Sequence, residues 1–181
     1  MNFQKITLVT FGYFENDFLQ KLIKKIHTEF FINVQLKEGH LDLSDFYEPN
    51  RRQYDANKLL HHFEKEYATD DSKTICLINV DLFIPIFTYI FGQAFLGGRS
   101  GIASIYRLNN ERYGIEADTN LLLERFAKEI IHELGHTFGL IHCQITDCVM
   151  RSGTYVEDID QKNISFCSKC RENLMLQQNN K

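Results

Sequence analysis

Between His132 and His142 the chain reads His-Glu-Leu-Gly-His-Thr-Phe-Gly-Leu-Ile-His, and few folds can accommodate such a run. The residues before it place Leu123, Ala127, Ile130, Leu134 and Phe138 at helical spacing, with Asp118 or Thr119 in position to cap a helix start. At about 100° per residue, His132 and His136 lie roughly 40° apart on one helix face, while Leu134 points to the opposite side. Glu133, roughly 60° from His136, can reach a water on a metal held by the two imidazoles without becoming a ligand itself. Gly139 suits a left-handed helix end that reverses the chain, leaving three residues for His142 to swing back. Three neutral imidazoles and one water are the donors of an open, tetrahedral, catalytic zinc site. Shuffling this composition yields the five-residue pattern about once in fifty sequences, and requiring Gly139 and His142 as well lowers that to roughly a few in a hundred thousand.

The rest of the chain can supply the core that such a helix needs. Its 181 residues are 44% hydrophobic with only 2 Pro, so one domain can bury enough apolar surface to offset the entropy of ordering it, and disorder is excluded. Lys and Arg number 20 against 24 Asp and Glu, giving a net charge of −4 without long same-sign runs. A nucleic-acid surface needs a basic stripe, so that class is excluded. The longest uncharged run, residues 82–98, is broken by Pro85, Gly92, Gln93 and Gly97 and falls short of the roughly 20 apolar residues of a membrane span. The first residues meet Glu15 and Asp17 without a small-residue cleavage site, so a first strand rather than an export signal is expected, and a cytoplasmic location with it.

Apolar runs predict strands at 6–11, 33–36 and 74–80, with helices at 17–31 and 56–67 between them, a β-α-β pattern. Residues 41–54 read as loop, 93–96 and 102–108 as a hairpin-like pair, and everything after Gly139 as loop until a terminal helix at 168–177. No internal repeat or linker divides the chain.

Four of the 5 cysteines fall near the end as Cys143-x4-Cys148 and Cys167-x2-Cys170. Thiolates at these spacings can close around one structural zinc; reduced thiol pairs or two disulfides are the alternatives. Cys76, inside a predicted strand, reads as a small buried hydrophobe.

Taken together, the extended histidine pattern, the run His142-Cys143-x4-Cys148-x-Met150, the distal Cys167-x2-Cys170 pair, and Asn79-Val80-Asp81-Leu82, Gly97-Gly98-Arg99 and Ile105-Tyr106-Arg107-Leu108 resemble the archaemetzincin family of the metzincin zinc metallopeptidases. The resemblance implies that His132, His136 and His142 ligate a catalytic zinc, that Glu133 is the general base acting on a zinc-bound water, and that Met150 lies beneath the metal. It also implies an edge strand near residues 93–96 that pairs with an extended peptide. The expected fold is α/β, a zincin-like mixed sheet with flanking helices. One domain spans 1–181, with an N-terminal part (1–139) that carries the active-site helix and a zinc-clamped C-terminal part (140–181). The expected protein is a monomeric metallopeptidase with two zinc ions per chain, acting on a peptide or protein substrate. The alternative is a zinc-binding protein of the same fold with little or no peptidase activity that binds peptides or another ligand.

Overall fold

The computed structural model describes residues 5–179; the first four residues of the expected N-terminal segment and residues 180–181 lie outside them. In chain order the elements are β1 (Lys5–Phe11), α1 (Asn16–Phe30), β2 (Asn33–Gly39), β3 (Tyr47–Glu48), β4 (Gln53–Asp55), α2 (Ala56–Tyr67), β5 (Ser72–Ile78), β6 (Leu82–Phe83), β7 (Gly92–Ala94), β8 (Ser100–Ser104), α3 (Thr119–Thr137), α4 (Val156–Gln161) and α5 (Ser168–Asn179). A sheet of order β2-β1-β5-β8-β7 is parallel except for β7, which runs antiparallel to β8 at one edge. This is the α/β class, a mixed sheet with flanking helices, that the β-α-β pattern predicts.

Strands β1 and β5 are buried without alternation because both faces of the sheet are covered. Ile6, Leu8, Ile75 and Leu77 share a core with Leu22 and Ile26 of α1 and Phe126 and Ile130 of α3. Their sequence neighbours Val9, Phe11, Cys76 and Ile78 pack on the other side with Leu59, Leu60 and Phe63 of α2. Cys76 is therefore fully buried core. Asp118 caps α3, its side chain accepting from the Leu121 backbone N–H at 2.9 Å. At the other end Lys73, buried in β5, donates to the Thr137 carbonyl at 2.6 Å, placing a cation where the helix dipole is negative.

Three expectations need correction. Residues 41–54 are not all loop: β3 and β4 form a small second sheet with β6, preceded by a turn of 3-10 helix at Ser44–Phe46. Strands of two or three residues are too short to display a period of two, so the sequence does not announce them. The second hairpin strand begins earlier and stops at Ser104, and the chain then turns through a 3-10 helix at Tyr106–Leu108. Finally, α4 interrupts what was read as loop after Gly139. It is held by Arg125, buried in α3, whose guanidinium forks onto Asp160 with two bonds of 2.7 Å and reaches the Leu108 carbonyl at 2.8 Å.

A second ion pair ties the C-terminal helix to the first one: Arg171 of α5, half-buried, bonds the buried Glu29 carboxylate of α1, which also accepts from Ser165 Oγ at 2.8 Å. Among the described residues no helix is long and apolar enough to cross a membrane.

Candidate functional site

An apolar stripe seats helix α3 in the core and orients the site it carries. Phe126, Ala127, Ile130, Ile131 and Leu134 are fully buried, which fixes the rotation of the helix and turns His132, Glu133 and His136 toward a cleft. The helix ends as a Schellman motif. Gly139, at φ 89°, donates to the His136 carbonyl at 2.9 Å, and Leu140 donates to the Gly135 carbonyl at 2.9 Å. The reversal brings His142 back over the helix, its ring centroid 5.3 Å from that of His132 and 4.9 Å from that of His136. One nitrogen from each of the three rings lies within 4.8 Å of the other two.

The rings are oriented from behind. His132 Nδ1 lies 2.8 Å from the Val149 carbonyl oxygen and His136 Nδ1 2.7 Å from that of Leu140. A carbonyl oxygen only accepts, so each Nδ1 carries the proton and each Nε2 presents a lone pair. Those two Nε2 atoms are 3.0 Å apart. Two lone pairs at that distance repel unless a cation lies between them, and the spacing is close to the edge of about 3.3 Å of a tetrahedron with 2.0–2.1 Å Zn–N bonds. The donor set thus fits zinc. Burial, reinforced by the Lys162 charge, pushes the His132 pKa well down, and burial holds His136 at about 4, so both rings are neutral at physiological pH.

Glu133 is buried beside them, and its Oε2 has no hydrogen-bond partner among the described residues. Burial and the adjoining Glu129 carboxyl push its pKa well above the usual carboxylate range, against the pull of Lys162. Glu129 and Lys162 are site residues the sequence reading missed. Glu129 precedes Glu133 by four residues, so helical spacing alone could have found it. Lys162 is remote in sequence; its ammonium is held by the Arg151 carbonyl at 3.0 Å, and nothing local marks it. Burial lowers its pKa, while the two glutamates raise it.

Below the helix, Met150 is fully buried and fills the space left by Gly135. A Cβ on Gly135 would overlap the Met150 sulfur and lie 3.0 Å from its Cε. Gly135→Ala is therefore expected to lower stability by about 1–3 kcal/mol, although alanine is the better helix former by about 1 kcal/mol. Urea denaturation of the zinc-loaded protein measures the balance; a gain in stability would show that Met150 moves aside freely.

The four distal cysteines also converge. Their sulfurs lie within 4.8 Å of one another, and Cys143 Sγ is 3.8 Å from Cys167 Sγ. That separation is far beyond an S–S bond and equals the edge, about 3.8 Å, of a tetrahedron with 2.3 Å Zn–S bonds. The Cys148 sulfur accepts from the Cys167 N–H at 3.3 Å, and the Cys143 N–H donates to the Met150 carbonyl at 2.9 Å, coupling this cluster to the methionine.

The cleft beside the histidines has a volume of about 590 Å³; β7 forms one wall and residues 152–154 contribute to the lining. Proteins with this architecture are known. An archaemetzincin of Pyrococcus horikoshii is 37% identical over 163 residues, 87% of this chain and 85% of that one. Among solved structures, a zinc-dependent peptidase from Methanocorpusculum labreanum superposes with a TM-score of 0.84 at 29% identity, covering 93% of this chain and 99% of that one. The archaemetzincin of Methanopyrus kandleri gives 0.84 at 30% identity, covering 97% and 96%. The model of peptidase family M54 matches residues 11–176, nearly the whole described chain. With zinc-fitting donors and a carboxylate on one helix, and with relatives of this likeness along most of its length, the chain belongs to peptidase family M54, the archaemetzincins, and is a zinc-dependent metallopeptidase.

Proposed function

We propose that His132, His136 and His142 hold the catalytic zinc, that Glu133 is the general base of peptide hydrolysis, and that Cys143, Cys148, Cys167 and Cys170 hold a second, structural zinc. The observation that carries this reading is the pair of Nε2 lone pairs meeting at 3.0 Å with both Nδ1 atoms committed to carbonyls. Bound zinc supplies Lewis acidity, polarising the scissile carbonyl and lowering the pKa of water toward neutrality. Glu133 takes a proton from the attacking water as its oxygen bonds the carbonyl carbon, then delivers that proton to the nitrogen as the C–N bond breaks. Its partnerless Oε2, beside the imidazoles, is free for this shuttle. Val149 and Leu140 hold the rings in one tautomer, and Met150 supports the helix turn between the two ligands it bears.

The substrate is a peptide or protein. We take residues 1–181 as one domain, its 1–139 and 140–181 parts joined across the cleft, acting as a cytoplasmic monomer. The Arg125–Asp160 and Glu29–Arg171 ion pairs, each with one buried member and crossing between the two parts, support the single-domain reading. Native mass spectrometry of the zinc-loaded chain tests the proposal: two ions are expected in the parent and one in His136→Ala. Equal zinc content in the two would remove the histidines from the ligand set.

A further inference from the structure

The four sulfurs of the distal cluster are not equally sheltered. Cys148 and Cys170 are 1% and 7% exposed, whereas Cys143 and Cys167 are only half-buried. Those two reachable sulfurs lie 3.8 Å apart. Residues 144–147, which join Cys143 to Cys148, are all exposed, so this side of the cluster lies at the surface. The same short segment carries three supports of the histidine site. His142 directly precedes Cys143. The Val149 carbonyl, next to Cys148, fixes the His132 ring at 2.8 Å. Met150, whose carbonyl accepts from the Cys143 N–H at 2.9 Å, underlies Gly135 of α3. His136 is oriented from outside the segment, by the Leu140 carbonyl. Residues 142–150 therefore bear on two of the three rings and on the helix turn that carries the third, and Cys143 and Cys148 pin the segment near both ends.

Resting on the two-zinc reading above, we infer that the cluster is a peroxide-sensitive clasp: Cys143 and Cys167 oxidise to a disulfide, the structural zinc leaves, and the histidine site loosens. The thiolate is both the metal ligand and the nucleophile. One of the two reachable sulfurs attacks hydrogen peroxide and breaks its O–O bond; the sulfur becomes a sulfenic acid, and the departing hydroxide takes a proton and leaves as water. The other thiolate then attacks the sulfenic sulfur. The S–O bond breaks, and that hydroxide takes a second proton and leaves as a second water. Two thiolates thus lose two electrons, and one peroxide is reduced to two waters. An S–S bond of roughly 2.05 Å cannot form while both sulfurs sit 3.8 Å apart on one tetrahedral ion, so the ion departs, and Cys148 and Cys170 take up protons. The new bond still joins the segment to the start of α5, so a thiol reductant and zinc restore the reduced cluster.

The test takes the zinc-loaded parent through a hydrogen peroxide titration, read by native mass spectrometry and by peptide mapping of the disulfide. Two ions per chain are expected before peroxide and one after it, with Cys143 joined to Cys167 and with Cys148 and Cys170 still open to alkylation once the chain is unfolded. In competition with a chelator, the remaining ion is expected to bind at least about tenfold more weakly than in the reduced protein, the range that loss of ring-orienting contacts costs. A thiol reductant with added zinc is expected to restore both values. Cys76→Ala, which alters a sulfur in the sheet core, is expected to release zinc at the same peroxide concentration as the parent. Retention of both ions under peroxide, a disulfide of any other pairing, release that Cys76→Ala abolishes, unchanged affinity for the remaining ion, or failure of reductant and zinc to reverse the change overturns this inference and leaves the two-zinc reading standing. A parent that holds fewer than two ions before peroxide overturns both.

Discussion

Glu133→Ala is expected to lower kcat/KM by about two to four orders of magnitude, the range that a positioned general base supplies, while the chain keeps both zinc ions. Glu133 is not among the converging donors, so metal content should not change. The helix should persist, because alanine is the best helix former and the inner apolar face of α3 is untouched. Steady-state kinetics on any cleaved peptide, paired with zinc analysis of the same sample, checks this. Parent-like activity in the variant would remove Glu133 from the chemistry, and a lost zinc would make it a ligand.

Cys167→Ser is expected to remove one zinc ion and to lower the thermal midpoint by roughly 10 °C or more. Structural zinc contributes its binding free energy to folding, on the order of 10 kcal/mol in isolated zinc modules, and three remaining thiolates recover only part of it. A loss of about 4 kcal/mol corresponds to that shift in a chain of this size. The segment concerned has few alternatives, since between α3 and α5 the chain contains only the six-residue α4. The effect should spread to the active site. Cys143 follows His142 directly and its N–H bonds the Met150 carbonyl, so a loosened thiolate cluster frees the proposed ligand His142 and the Met150 support of the helix together. Cys76→Ala, in the sheet core, is expected to leave zinc content unchanged. Calorimetry with zinc stoichiometry separates the two variants; an unshifted midpoint and full zinc in Cys167→Ser would discard the structural site.

Much of the fold was legible because its signals are local. The alternating four- and three-residue spacing of Leu123, Ala127, Ile130 and Leu134 dictates an amphipathic helix whatever surrounds it, and the limits of α2 match the sequence expectation, residues 56–67. The same helical period sets His132, Glu133 and His136 on one side of α3. Gly139 was legible because a left-handed residue at a helix end is usually glycine. The strands β3, β4 and β6 were not, because each is too short to carry a pattern and exists only through its neighbours.

Residue spacing along the chain thus determined the fold class, the helix that bears His132 and His136, the glycine that ends it and the two sets of zinc-type donors. Only the tertiary structure decided that a lysine about thirty residues away faces Glu129 and Glu133, that Met150 fills the hollow over Gly135, and that Lys73 closes the end of α3. The division follows from the range of the forces. Backbone periodicity is set by residues within one helical turn and is written in the sequence, whereas burial, close approach and electric field depend on which distant segments pack together.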